Sequence, residues 1–287
     1  MDYHTPANFN DAAGIAAQAE GATRFLAGGT DVLVQLRADI LTPDTLIDVK
    51  KIDGVKAITQ NDDGSWTLGV AVAGAEMSEH EGLCAAWPGL VEAMDLVGST
   101  QIQGRATLTG NLCNGSPAAD SVPAMFAADA TVSITGPDGT RTVSVQDIPT
   151  GPGRTSLQKG ELISALHIPA RGAAGGDAYL RFTPRTEMDI AVVGASVNLT
   201  LEGDVVKTAR VSLGAVAPTV VMVQAAADAI IGTTLDDAAL DKLAAAASAA
   251  CSPIDDKRGT IAFRTKVAGV LTRRAAKIAY ERAKATS

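Results

Sequence analysis

The chain has 287 residues, 46% of them apolar and 20% charged, with a formal net charge of −8 and acidic and basic side chains interspersed along it. That length favours two packed domains, each with its own core, and the charge pattern argues against the basic face that nucleic acid requires. With aromatic residues at 3%, base-stacking platforms and aromatic sugar clefts are poorly supplied.

Residues 10–18 are alanine-rich, with Asn10 or Asp11 placed to cap, and predict a short helix. Residues 23–26 read as a short buried strand running into Gly28 and Gly29, and Thr30 or Asp31 is placed to cap the apolar stretch 32–38. The result is strand, glycine turn, helix. Residues 45–49 form another short strand with Asp48 near its end, and 66–72, bounded by Asp63-Gly64, one arm of a hairpin. The helical pattern over 88–97 leads to a second glycine-containing loop that begins at Thr107 and reaches Asp120. After it come a buried helix at 122–130, a strand at 131–135, and a turn at Gly136-Pro137-Asp138-Gly139 closing a hairpin with 140–145. The glycine-rich run 171–176 reads as a flexible joint. Beyond it, 190–201 and 205–213 alternate around Glu202-Gly203-Asp204 as a hairpin, and helices are predicted at 220–231, 235–250 and 260–284. No internal repeat of fixed period is present. The architecture is α+β, with an N-terminal domain at residues 1–176 and a smaller domain of antiparallel sheet plus helices at 177–287.

Cys84, Cys113 and Cys251 lie far apart with no C-x-x-C, against a disulfide framework or a four-thiolate cluster. Residues 1–10 lack the basic and apolar stretches of a secretory signal, and no window approaches eighteen uninterrupted apolar residues, so the expectation is a cytoplasmic protein without a membrane span. His4, His80 and His167 sit in unlike contexts and suggest no metal site; His167 reads as a structural or surface residue on a strand. Cys113 reads as a small buried thiol. Arg185, Glu187 and Asp189 suit either a charged gate or a solvated turn with a salt bridge.

The two glycine stretches carry the candidate chemistry. A pyrophosphate needs several backbone N–H donors pointing one way near a helix N-terminus, with side chains small enough for close approach. Ala27-Gly28-Gly29-Thr30-Asp31 offers this, with glycines free to take positive φ and a threonine hydroxyl as a further donor. The same residues also suit a tight strand-to-helix turn. Thr107-Leu108-Thr109-Gly110-Asn111 and the residues up to Asp120 are dense in short polar side chains, which must be hydrogen-bonded if buried. They can satisfy one another, or they can line a polyhydroxylated ligand, with Thr109 and Asn111 donating to phosphate and Asp120 accepting from a sugar hydroxyl.

Phe25-Leu26-Ala27-Gly28-Gly29-Thr30-Asp31, Thr107-Leu108-Thr109-Gly110-Asn111 and Ser116-Pro117-Ala118-Ala119-Asp120 resemble the FAD-binding, medium subunit of the molybdenum hydroxylases, of the xanthine dehydrogenase and carbon monoxide dehydrogenase type. The likeness continues through Gly151-Pro152-Gly153-Arg154-Thr155, Glu161-Leu162-Ile163, Arg185-Thr186-Glu187-Met188-Asp189 and Gly214-Ala215-Val216-Ala217-Pro218, in order along nearly the whole chain. It implies a PCMH-type FAD domain of two α/β subdomains clamping the extended cofactor, followed by a domain that closes over the flavin side. The implied contacts are Leu26, Ala27, Gly28, Gly29, Thr30, Asp31 and Val32 in the first loop, and Thr107, Thr109, Gly110, Asn111, Asn114 and Asp120 in the second. Ile163 falls where the family places an apolar residue beside the isoalloxazine, and Arg181 where some members have a lysine near the ring. The family usually reads Thr-Ile-Gly-Gly-Asn; here Thr109 replaces the first glycine, and a positive φ at that position would strain it.

The resemblance further implies an electron-transfer role without acid–base chemistry on this chain. FAD is held non-covalently, since no histidine or cysteine lies between Phe25 and Leu41. A molybdenum cofactor belongs to a large molybdopterin-binding partner and two [2Fe–2S] clusters to a small partner, and a small molecule accepts the electrons. Two other readings predict different behaviour: a free-standing FAD-dependent oxidase, and a flavin-free scaffold in which Thr109 is the lesion.

Overall fold

The structure is a computed structural model and describes residues 1–286. The chain opens on a small parallel sheet in which Thr45–Asp48 runs between Asp2–His4 and Thr23–Leu26. Helix Phe9–Gln18 buries Ala12, Ala13 and Ala16, one face at i, i+1 and i+4. Its cap is Asn8, whose side chain accepts from the Asp11 amide at 2.8 Å, rather than Asn10 or Asp11. Phe9 packs on the core and so draws the first turn two residues earlier. Thr45–Asp48 stops one residue before the predicted end, because the Asp48 side chain accepts from the Lys50 amide and starts a 3-10 turn at Val49.

An antiparallel sheet of five strands follows, in the order Ile58–Gln60, Trp66–Gly69, Leu162–Ile168, Thr131–Gly136, Gly139–Ser144. The hairpins at Asp63-Gly64 and Gly136–Gly139 form where their turn residues predict them. His167 lies on the central strand, its ring between Ser133 Oγ at 2.8 Å and Thr67 Oγ1 at 3.2 Å, a structural role. The stretch from Thr107 is not the irregular loop expected: Leu108–Cys113 is a short helix capped by Thr107, which accepts from the Gly110 amide at 3.0 Å.

The remaining chain makes an antiparallel sheet of Gly175–Phe182, Val193–Glu202, Val205–Gly214 and Val221–Met222, covered by helices Gln224–Asp228, Asp237–Ala249 and Ile261–Ala285. Gly175 and Gly176 belong to a strand rather than to a flexible joint. A Cβ on Gly176 would lie 2.0 Å from the Ala279 carbonyl oxygen, so the long helix can lie down only on glycine. That helix buries Ala268, Ala275, Ala276, Ala279 and Ala283 between the sheet and helix Asp237–Ala249, all at 0% exposure. The segment 220–231 is only partly helical, since Val221 and Met222 pair with the sheet before Gln224–Asp228 begins.

Two hydrophobic cores result, one built mainly before Ile168 and one from Ala178 to Ala283. Helix Ser121–Ala127, buried at every residue, joins them. Its carbonyls accept from the C-terminal sheet: Pro123 from Ser212 Oγ at 2.6 Å, Phe126 from Arg210 Nη2 at 3.1 Å, and Ala127 from Asn198 Nδ2 at 3.0 Å.

Candidate functional site

The strand Thr23–Leu26 delivers the first glycine turn to the carboxyl end of the parallel sheet, where ligands of α/β units bind. A cleft of ≈ 640 Å³ opens there, within the range of small-molecule sites. Ala27, Gly28, Gly29, Thr30, Asp31 and Val32 line one wall. Gly29 takes φ +81, and the Leu26 side chain packs beneath it, so Leu26 supports the turn from the protein side and does not line the cleft. Among the described residues, none of the amides from Gly28 to Val32 donates a backbone hydrogen bond. Five consecutive N–H groups without partners, beside a helix start, are donors that an anion can satisfy. Desolvation raises the Asp31 carboxyl above its ordinary range.

Thr107, Thr109, Gly110, Asn111 and Asn114 line the facing wall. The walls meet at Gly28, where a Cβ would stand 2.0 Å from the Arg105 carbonyl oxygen; Arg105 Nε in turn donates to the Gly28 carbonyl at 3.2 Å. Gly110 is similarly tight, with a Cβ 2.8 Å from Thr107 Oγ1. Thr109 has no positive φ, being in the first turn of a right-handed helix, so the expected strain does not arise. Its hydroxyl turns into the protein and donates to the Val70 carbonyl at 2.8 Å. The Asn111 side chain is committed too, its Oδ1 accepting from Ser121 Oγ at 2.7 Å. Cys113 is exposed on the cleft rather than buried.

A third wall comes from the chain around the central strand, with Gly153, Thr155, Leu157, Lys159 and Ile163. Ile163 is 5% exposed and sits at the bulge between Ile163 and Ala165, which breaks the strand register beside the cleft. Phe25, Val49 and Val70 add apolar surface to the cleft from three separate elements.

Asp120 and Arg181 do not line the cleft; they pair with each other. Arg181 Nη1 donates to Asp120 Oδ2 at 2.7 Å and Tyr179 Oη to Oδ1 at 2.8 Å, tying the end of the second loop to strand Gly175–Phe182. Burial pushes the Asp120 carboxyl up to about 6, against the opposing pull of Arg181 and Tyr179. Tyr179 is the partner that sequence reasoning missed. In the segment 183–190, Arg185 and Asp189 form an ion pair at 3.3 Å and the Met188 amide donates to the Gly98 carbonyl at 3.3 Å, next to Val97 of the cleft. No helix among the described residues is long and apolar enough to cross a membrane.

The cleft therefore combines an anion receptor, a glycine-dependent contact between two loops and an apolar wall, a donor and shape set that fits an extended dinucleotide such as FAD. Residues 1–171 match the family described as FAD binding domain in molybdopterin dehydrogenase, and residues 178–279 match the CO dehydrogenase flavoprotein C-terminal domain. The chain is 34% identical to the carbon monoxide dehydrogenase medium chain of Afipia carboxidovorans, over 99% of this chain and 98% of that one. It is 29% identical to the xanthine dehydrogenase FAD-binding subunit of Escherichia coli O157:H7, over 95% and 93%. Its fold superposes on reconstituted CO dehydrogenase from Oligotropha carboxidovorans with a TM-score of 0.93 at 32% identity, covering 98% of both chains. Quinoline 2-oxidoreductase from Pseudomonas putida 86 matches with a TM-score of 0.90 at 25% identity, covering 99% and 98%. Matched over nearly its whole length by these relatives, the chain belongs to the FAD-binding flavoprotein subunits of the molybdopterin dehydrogenases.

Proposed function

We propose that this chain is the flavin station of a cytoplasmic molybdenum hydroxylase complex, taking electrons from [2Fe–2S] clusters on a small partner and passing them to a small-molecule acceptor. Substrate oxidation then takes place on a large molybdopterin-binding partner. The observation that carries the reading is the run of unused amides from Gly28 to Val32 facing Thr107, Gly110 and Asn111 across one cleft. Bound FAD supplies the exchange between single-electron and paired-electron transfer.

This chain's own residues bind, orient and shield. The amides of Gly28 to Val32 and the Thr30 hydroxyl serve the pyrophosphate, with Gly110 admitting the phosphates and Asn111 and Asn114 completing the facing wall. Ile163 and its apolar neighbours keep water from one face of the ring. Asp120, held by Tyr179 and Arg181 outside the cleft lining, anchors the end of the second loop behind the wall that faces the cofactor. The relatives named as medium chains support the assembly with larger and smaller partners.

Titration of the FAD-free chain with FAD tests the reading directly. Saturable quenching of flavin fluorescence at one site per chain is expected, together with co-purification of partners that contain molybdenum and iron. A chain that never acquires flavin absorbance on reconstitution refutes the cofactor assignment. Recovery from the native source as an isolated flavoprotein refutes the complex.

A further inference from the structure

Thr109 lies in the wall of the cleft, and its hydroxyl points into the protein rather than at the ligand space. Threonine hydroxyls within helices ordinarily bond back to the carbonyl four residues earlier. Here the partner is the carbonyl of Val70, 39 positions away, at 2.8 Å, with Thr109 5% and Val70 3% exposed. Val70 leaves strand Trp66–Gly69 in a pinned segment: the Gly69 amide donates to Ala57 and the Ala71 amide to Val55, and a Cβ on Gly69 would lie 2.4 Å from Val55. One further bond joins the same two segments, from the Gly74 amide to the Ala106 carbonyl at 2.9 Å. The first turn of Leu108–Cys113 is thus stapled to the C-terminal end of strand Trp66–Gly69, an inner strand of the five-stranded sheet, just where Thr109, Gly110 and Asn111 line the cleft.

Resting on the FAD reading above, we infer that Thr109 is a positioning residue: its hydroxyl, through Val70, holds the second loop at the spacing from the first that FAD requires. Leu108 and Thr109 are among the helix-start residues whose amides have no intrahelical acceptor, and the turn that carries them is held on the sheet side by this side-chain bond, beside the Thr107 cap and the Asn111–Ser121 bond. The threonine therefore does for the loop by a tether what a smaller residue would do by leaving room.

The test compares the full-length chain with Thr109→Val, Thr109→Ser and Thr109→Gly, measuring FAD dissociation constants, the visible flavin spectrum, and melting temperatures with and without FAD. Thr109→Val keeps the shape and strands the buried Val70 carbonyl. Its FAD affinity is expected to fall about tenfold, with a reduced FAD-induced rise in melting temperature and a shifted flavin band. Thr109→Ser is expected to restore all three. A purely structural role would lower the melting temperature equally with and without FAD and leave affinity and spectrum unchanged, and that result overturns the inference. So does tighter binding by Thr109→Gly, which would make the threonine an obstruction. If the unsubstituted chain takes up no FAD, it is the cofactor reading that fails; if it binds and Thr109→Val matches it, only the tether fails.

Discussion

Replacing Gly28 by alanine probes the contact on which the cleft depends. A Cβ at Gly28 would stand 2.0 Å from the Arg105 carbonyl oxygen and 2.9 Å from its carbon, and 3.3 Å from the Ala106 Cα. All three are backbone atoms, so no side chain can swing away; the loops must separate by roughly 1 Å or more to reach normal contact. Overpacking of this kind costs about 1–3 kcal/mol, and losing the 3.2 Å bond from Arg105 Nε to the Gly28 carbonyl adds about 1 kcal/mol. Together that is about 2–4 kcal/mol. Whatever part the protein relieves by opening the cleft appears as weaker FAD binding, at about tenfold per 1.4 kcal/mol. Whatever part remains as strain appears as a lower melting temperature, at about 2–4 °C per kcal/mol for a chain of this size. Fluorescence titration and thermal unfolding of the same preparation read the two shares, and their sum is the constrained quantity. Gly172→Ala is the control, because a Cβ there meets nothing within 4 Å. If Gly28→Ala equals the unsubstituted protein in both measurements, the contact between the loops does not define the site.

Asp120 should give the chain a pH-dependent stability. Its folded pKa, about 6, is raised above the ordinary carboxylate value, so its contribution is full below the unfolded value and is lost as pH rises through about 6. Denaturant unfolding across that window should show stability falling by up to about 3 kcal/mol, and Asp120→Asn should flatten the curve; an unchanged slope in the variant excludes Asp120 as its source. Tyr179→Phe removes a hydrogen bond that lowers the same pKa and should move the transition to higher pH, which the same pH series reads. Arg264, 4% exposed, donates to the carbonyl of Val192 at 2.7 Å and to Asp256 Oδ1 at 2.8 Å. Arg264→Met should destabilise the C-terminal domain by about 3–5 kcal/mol, measured as early loss of amide protection in its sheet; uniform loss across both domains would contradict a local role.

The local signals in the sequence were strong where the chain makes its own structure. Gly29 at positive φ after a four-residue strand, the Asp63-Gly64 hairpin and the alternation around Gly203 are local features, and they form where the residues put them. Leu108–Cys113 was hidden because Thr109, Gly110 and Asn111 are weak helix formers. The turn is held by contacts at long range, chiefly Val70 and Ser121, that no local pattern reveals. Asp120 and Arg181 were both legible as site candidates, but their pairing was not, because 61 positions separate them and Tyr179 carries no motif. The run 171–176 misled for a physical reason: glycine suits a linker and equally suits a strand lying under a close-packed helix.

Helix Ser121–Ala127 has a consequence for anyone recombining relatives. It is encoded with the first half of the chain, yet its carbonyls accept from Asn198, Arg210 and Ser212 of the second. A chimera joined near residue 175 that brings a second half without those three donors would take away the side-chain donor to the buried Ala127 carbonyl and the second donors to Pro123 and Phe126, in the helix adjoining the cofactor loop. The two halves are thus separable as stretches of sequence and inseparable as parts for exchange, and a graft succeeds only when the donors travel with the helix they serve.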